Sequence, residues 1–167
     1  MEKIGQDEYY VGRVIYSPKN EGSRLAELAL ADGCKTAVIS AGASGDYAHD
    51  RRILGFTETF EAGGGEILFV SHSADPSEAV QKTNDYMTAS GDTDCIYATG
   101  EDYITPAADV IKSRGITDCK IYGSNISPSV CQLIMDGQVE ACPGGAFVCG
   151  SLPVTLLITY LDGNPIQ

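Results

Sequence analysis

Short apolar runs, each closed by a small or polar residue and each followed by a stretch with helical spacing, recur along this 167-residue chain. The runs are 36–40, 67–71, 96–98 and 120–123, with 139–142 as a further short one. A run of that length with little in–out alternation is the pattern of a strand covered on both faces. Residues 9–15, loosely alternating and carrying β-branched and aromatic side chains, are expected as a strand that opens the series. Between the runs lie expected helices over 20–31, 47–61, 76–90, 105–114 and 128–136. Leu25, Leu28 and Ala29 give the first its apolar face; Ile53, Phe56 and Phe60 give the second theirs. Three helices start at a cap followed by proline, Ser17-Pro18, Asp75-Pro76 and Ser127-Pro128, and glycines 33, 63, 91, 115 and 137 mark the stops. Strands that alternate with helices are joined by crossovers, which make neighbouring strands parallel. The expected fold class is therefore α/β, a three-layer, doubly wound, mostly parallel sheet of ordinary domain size.

Residues 95–115 locate where such a fold does its work. Gly100 is expected to make a sharp turn after the strand 96–98, and it sets Glu101 and Asp102 at the strand's carboxyl end. In open α/β sheets that edge is where ligands bind. Asp46, Tyr47 and Asp50 fall on the same edge after the loop Gly42-Ala43-Ser44-Gly45. Asn125 follows Gly123-Ser124 there, and Gly145 lies beyond the last short run. Carboxylates and amides with an aromatic ring suit a polyhydroxylated or amine-bearing small molecule.

Other chemistries fit less well. The glycine loop lacks both G-x-G-x-x-G spacing and a glycine-Lys-Ser/Thr ending, and Asp46 would face a bound phosphate. A hydrolase elbow fails because Gly42-Ala43-Ser44-Gly45 places its second glycine one residue early. A phosphoacceptor domain needs a lone Asp after its third strand, where this chain has Ser71-His72-Ser73. His49 and His72 read as solvated loop or helix residues. Glu101 and Asp102 read either as an acid pair or as a solvated turn with a helix cap. With no nucleophile, base and oxyanion site converging, binding is expected rather than catalysis, with no cofactor. Six cysteines form no C-x-x-C and lie near few histidines, so no metal is expected. Cys34, Cys95 and Cys119, at strand starts on the opposite edge, read as packing residues, and a disulfide between two of them stays open.

Eleven basic against 23 acidic residues give a formal charge of −12, a field that repels nucleic acid and anionic membranes. No apolar run reaches about 18 residues, and the first residues are too polar for a signal peptide. The segment 147–161 is apolar throughout and is expected to be helical, with Pro153 either kinking it or sitting in its first turn.

A set of short motifs runs through the chain in order. They are Gly22 with Ala26-Glu27-Leu28; Arg52-Ile53-Leu54-Gly55-Phe56; Ile96-Tyr97-Ala98 through Ala107-Ala108; Ile121-Tyr122-Gly123-Ser124-Asn125; and Ile134-Met135-Asp136-Gly137. In that order the chain resembles the type I periplasmic binding proteins of sugar ABC transporters, and the effector domains of LacI-type repressors. The resemblance covers the second of the family's two lobes. It implies ligand contacts at Asn125, at Glu101 or Asp102, at Asp50 and at Gly145. At Asp50 the family has an arginine and at Gly145 a glutamine, so an anionic ligand is the least favoured. The implied function is non-enzymatic binding of a sugar-like solute outside the cytoplasm, in partnership with a missing N-terminal lobe and a membrane permease. The alternatives are a cytoplasmic regulator's effector domain and, in another class, a small flavodoxin-like nucleotide-binding enzyme. On the same map residues 1–145 form the lobe, and residues 146–167 carry the hinge crossing and a helix of the missing lobe. That helix is expected to fold back on this lobe or to pair two copies of the chain as a homodimer.

Overall fold

The computed structural model describes residues 10–12, 14–89, 92–144 and 146–164. Contacts divide the chain into two units, Ser17–Pro143 and a second made of Met1–Tyr16 with Gly144–Gln167. The larger unit is a parallel four-stranded sheet of β1 (Thr36–Ala41), β2 (Glu66–His72), β3 (Cys95–Ala98) and β4 (Lys120–Gly123), in the order β2-β1-β3-β4. α1 (Pro18–Ala31) and α2 (Tyr47–Ala62) cover one face, with Leu25, Ala26, Phe56 and Phe60 buried against Ile39, Tyr97 and Tyr122. α3 (Pro76–Ala89), α4 (Glu101–Arg114) and α5 (Pro128–Met135) supply the core on the other face, where Ala79, Ile104, Ala107, Val110 and Val130 pack with Ile96 and Ile121. The doubly wound α/β expectation is met.

After β1 the chain steps outward to β2, then returns past β1 to lay down β3 on its other side. That reversal puts a topological switch point between the carboxyl ends of β1 and β3, where an open α/β sheet has its natural crevice.

The Arg52-x-x-Gly55-Phe56 motif is a packing device. A Cβ on Gly55 would lie 1.9 Å from the Lys19 carbonyl oxygen, and one on Gly22 would lie 2.2 Å from the Arg52 carbonyl oxygen. Glycine at both positions lets α1 and α2 cross with their backbones in contact. Phe56 then stacks on Tyr97, with ring centroids 4.3 Å apart, and on Phe60 at 5.3 Å.

Several local expectations change. Among the described residues of 9–15 none is in a strand, and Gly12 has φ 155, outside the extended region. The run 139–142 contributes only a bridge between Tyr122 and Ala141, because Pro143 has no N–H to continue a ladder. α4 starts four residues earlier than expected and carries Pro106 within it; the Asp102 carbonyl that loses its partner belongs to an exposed residue. Gly100 makes no sharp turn. Its φ of −172 and ψ of 163 are extended backbone, open to any residue. All six cysteines are free thiols, and burial raises the pKa of Cys34, Cys95 and Cys119, the last to about 12.

The smaller unit contains α6 (Ala146–Leu161), which carries Pro153 inside it and exposes Val154, Leu157, Ile158 and Leu161. No helix among the described residues is long and apolar enough to cross a membrane.

Candidate functional site

The carboxyl ends of β1, β3 and β4 are tied together by two side chains from one face of α2. The first is His49. Its Nδ1 lies 2.8 Å from the Thr99 hydroxyl just past β3, and its ring meets Tyr103 edge-on at 5.6 Å. A Cβ on Gly42, past the end of β1, would come within 2.5 Å of the imidazole, and one on Gly100 within 3.2 Å. Both strand tips are thus bare where the ring sits, so His49 fills the switch point itself. Partial burial lowers its pKa, with Asp46 opposing and Arg52 adding to the effect.

The second is Arg52, three residues on and only 4% exposed. Its Nε donates to Glu21 at 2.7 Å, Nη1 to the Thr99 carbonyl at 2.9 Å, and Nη2 to the Asn125 Oδ1 at 2.8 Å. Glu21 is itself buried on α1, and its pKa is raised because desolvation outweighs the attraction of Arg52. One guanidinium therefore joins α1, the β3 tip and the β4 tip.

Around this centre stand the residues expected to meet a ligand. Asn125 is half-buried with φ 70, and its carbonyl oxygen accepts from the Cys142 thiol at 3.2 Å. Burial pushes that thiol up to about 12, with smaller contributions from Glu21 and Glu101. Glu101, half-buried, and Asp102, exposed, form the first turn of α4 directly after Gly100. Asp46 is the exposed N-cap of α2, its carboxylate accepting from the amides of Ala48 at 2.9 Å and His49 at 3.1 Å. The His49 amide does most to hold its pKa below the usual carboxylate value. Asp50 accepts from the Gly45 amide at 3.2 Å, and Tyr47 is 72% exposed at the start of α2. Gly145 lies outside the described residues. The backbone donors of the glycine loop and helix start that a phosphate would use are thus partly taken by two carboxylates. Among the described residues no group of three or more His, Cys, Asp or Glu side chains is arranged to hold a metal ion.

A family model described as "Periplasmic binding protein domain" matches residues 3–165. The chain belongs to that family. The lobe is similar to the periplasmic ribose ABC transporter of Conexibacter woesei, at 20% identity and TM-score 0.81 over 97% of this chain and 57% of that one. It is also similar to an ABC transporter periplasmic solute binding protein of Actinobacillus succinogenes with bound D-allose, at 18% identity and TM-score 0.80 over 99% and 60%. A sugar ABC transport system substrate-binding protein of Bordetella parapertussis gives 20% identity and TM-score 0.77 over 92% and 50%. These likenesses are of fold, and the chain spans between half and three-fifths of the length of each. No curated protein matches the chain.

In this periplasmic binding protein lobe the expectation of a solvated His49 is corrected, since its ring is half-buried against Thr99 and Tyr103. Thr99 and Glu21 were not singled out from the sequence, and Arg52 was met only as part of a motif. The signal was helical spacing. Residues 49, 52 and 56 share one face of α2, and Phe56 was already assigned to the core, which places His49 and Arg52 on the inward face.

Proposed function

We propose that the strand-tip edge of this lobe binds a small polar solute of the sugar type and performs no chemistry on it. The lobe would be one half of a two-lobe, hinged solute-binding protein that serves an ABC transporter outside the cytoplasm. The observation that carries this reading is the convergence of His49, Thr99 and the Arg52-held Asn125 at the switch point of the sheet. Asp46, Glu101 and Asp102 edge the site, so neutral or cationic polyols and amines suit it better than anions. The fixed arrangement supplies donors, acceptors and a rim tyrosine, the complement a polyhydroxylated solute requires. The opposite wall of the cleft, a second lobe closing by hinge motion, and the membrane permease are the partners this reading requires.

A thermal-shift panel of D-ribose, D-allose, polyols, polyamines, ATP and flavin mononucleotide tests it. A ligand at about ten times its Kd adds about 1.4 kcal/mol, a rise of a few degrees in Tm. The expected result is such a rise with a sugar, polyol or amine, and its loss in Glu101→Ala. A rise with ATP or flavin mononucleotide alone would overturn the reading.

A further inference from the structure

We propose that Arg52 is the positioning residue of this site and that, through Asn125, it fixes the hydrogen-bond polarity of the β4 tip. The tip then presents N–H donors, and the ligand group it recognises is an acceptor oxygen. This deepens the solute-binding reading above and rests on it for the ligand, though not for the positioning.

A primary amide can offer either its oxygen or its NH2 to a ligand, and an unrestrained side chain could turn over to suit. At Asn125 that choice is removed. A guanidinium carries five donors and no acceptor, so the Asn125 atom 2.8 Å from Arg52 Nη2 has to be the oxygen. Arg52 cannot retreat, because Nε is held by Glu21 and Nη1 by the Thr99 carbonyl, and Arg52 and Glu21 are both buried. The Asn125 backbone is held as well, in a left-handed conformation that asparagine tolerates better than most residues. Among the described residues no group accepts from Asn125 Nδ2, and the residue is half-buried. Both amide hydrogens of Asn125 are therefore uncommitted and are the groups its side chain holds out to a solute, while its oxygen is already engaged by Arg52. An aspartate there would keep one oxygen on Arg52 and offer the other, reversing the polarity with almost no change of shape.

The test uses the full chain, 15N-labelled. The Asn125 side-chain NH2 resonances are assigned by their absence in Asn125→Asp, which is then followed in the same experiments. In Arg52→Lys the Asn125 pair should move while the pairs of Asn20 and Asn84 stay in place. An unmoved Asn125 pair would overturn the positioning role, since loss of stability alone does not select one amide. Should Arg52→Lys fail to fold, Glu21→Gln keeps an acceptor for Nε and should shift the same pair by less; no shift there is equally damaging. Titration with D-ribose reads the polarity. The Asn125 NH2 pair should move downfield and saturate, and Asn125→Asp should weaken binding about tenfold. Saturable binding that leaves the pair unmoved, or that Asn125→Asp leaves intact, would overturn the donor-only tip. No binding of D-ribose or any panel solute would instead count against the solute-binding reading, while the Arg52→Lys spectrum still decides the positioning role.

Discussion

Gly55→Ala should destabilise the lobe by about 2–3 kcal/mol although alanine is the better helix former. The new Cβ would start 1.9 Å from the Lys19 carbonyl oxygen and 2.8 Å from its carbon, both backbone atoms that no rotamer change can move. A carbon–oxygen contact needs about 3.3 Å, so α1 and α2 would have to part by about 1.4 Å. A radial gap of 0.5–1 Å already forfeits roughly a quarter to a half of the dispersion attraction, and the seam between α1 and α2 is closed by Leu25, Ala26, Ala29, Phe56 and Phe60. Overpacking of this kind costs about 1–3 kcal/mol or more. The hydrogen bond from Ser23 Oγ to the Gly55 carbonyl, 3.1 Å long, would be lost as well, for about 1 kcal/mol. Helix propensity returns at most about 1 kcal/mol. In urea, with an m-value of about 2 kcal/mol/M, the midpoint by circular dichroism should fall by about 1–1.5 M. Gly150→Ala within α6 is the control, because nothing lies within 4 Å of its Cβ, and it should leave that midpoint unchanged or raise it by the helix-propensity gain alone. A Gly55→Ala midpoint equal to or above wild type would refute the reasoning.

Two further predictions concern pH. The folded-state pKa of His49 is lowered from its ordinary 6.5, so its contribution is complete above that value and is lost as pH falls below it, where the unfolded chain binds the proton more readily. Urea midpoints should drop between pH 7.5 and pH 5.5 in wild type and drop less in His49→Gln; identical slopes would contradict the burial of His49. Asp94 accepts from the amides of Lys35 at 2.7 Å and Thr36 at 2.8 Å, and those bonds, the Lys35 amide first, hold its carboxyl below its ordinary 3.8. Its stabilisation is present above that pH and disappears as pH falls through the depressed value. Asp94→Ala should cost about 1 kcal/mol at pH 7 and flatten the acid limb of the stability profile, measured by urea midpoints from pH 6 to pH 3.

Much of this architecture was legible because its signals are local. Ser17 accepts from the Asn20 amide and Ser127 from the Val130 amide, as cap–proline starts require. Gly115 closes α4 with φ 67, and 120–123 is a strand over its whole expected length. What misled was context. The helix expected from residue 105 begins at Glu101, and Pro106 sits inside α4. Residues 139–142 have strand composition, yet Pro143 ends the ladder after one bridge. At the site, composition pointed to the acids, which can be read singly. The centre is made by Arg52 and His49, whose meaning depends on Glu21, 31 residues away from Arg52, and on Thr99 and Asn125, 47 and 73 residues away. Partners so distant in sequence leave no periodicity to read. Gly55 and Gly22 were visible as motif letters, and only the helix crossing explains why they are glycine.

The central claim is that a polar solute meets this chain at the carboxyl ends of β1, β3 and β4. A 1H–15N titration with D-ribose maps the contact residue by residue. The account predicts saturable shifts at Gly42, His49, from Thr99 to Asp102 and at Asn125. Saturable shifts confined to the other edge of the sheet, around Cys34, Asp94 and Cys119, would contradict it.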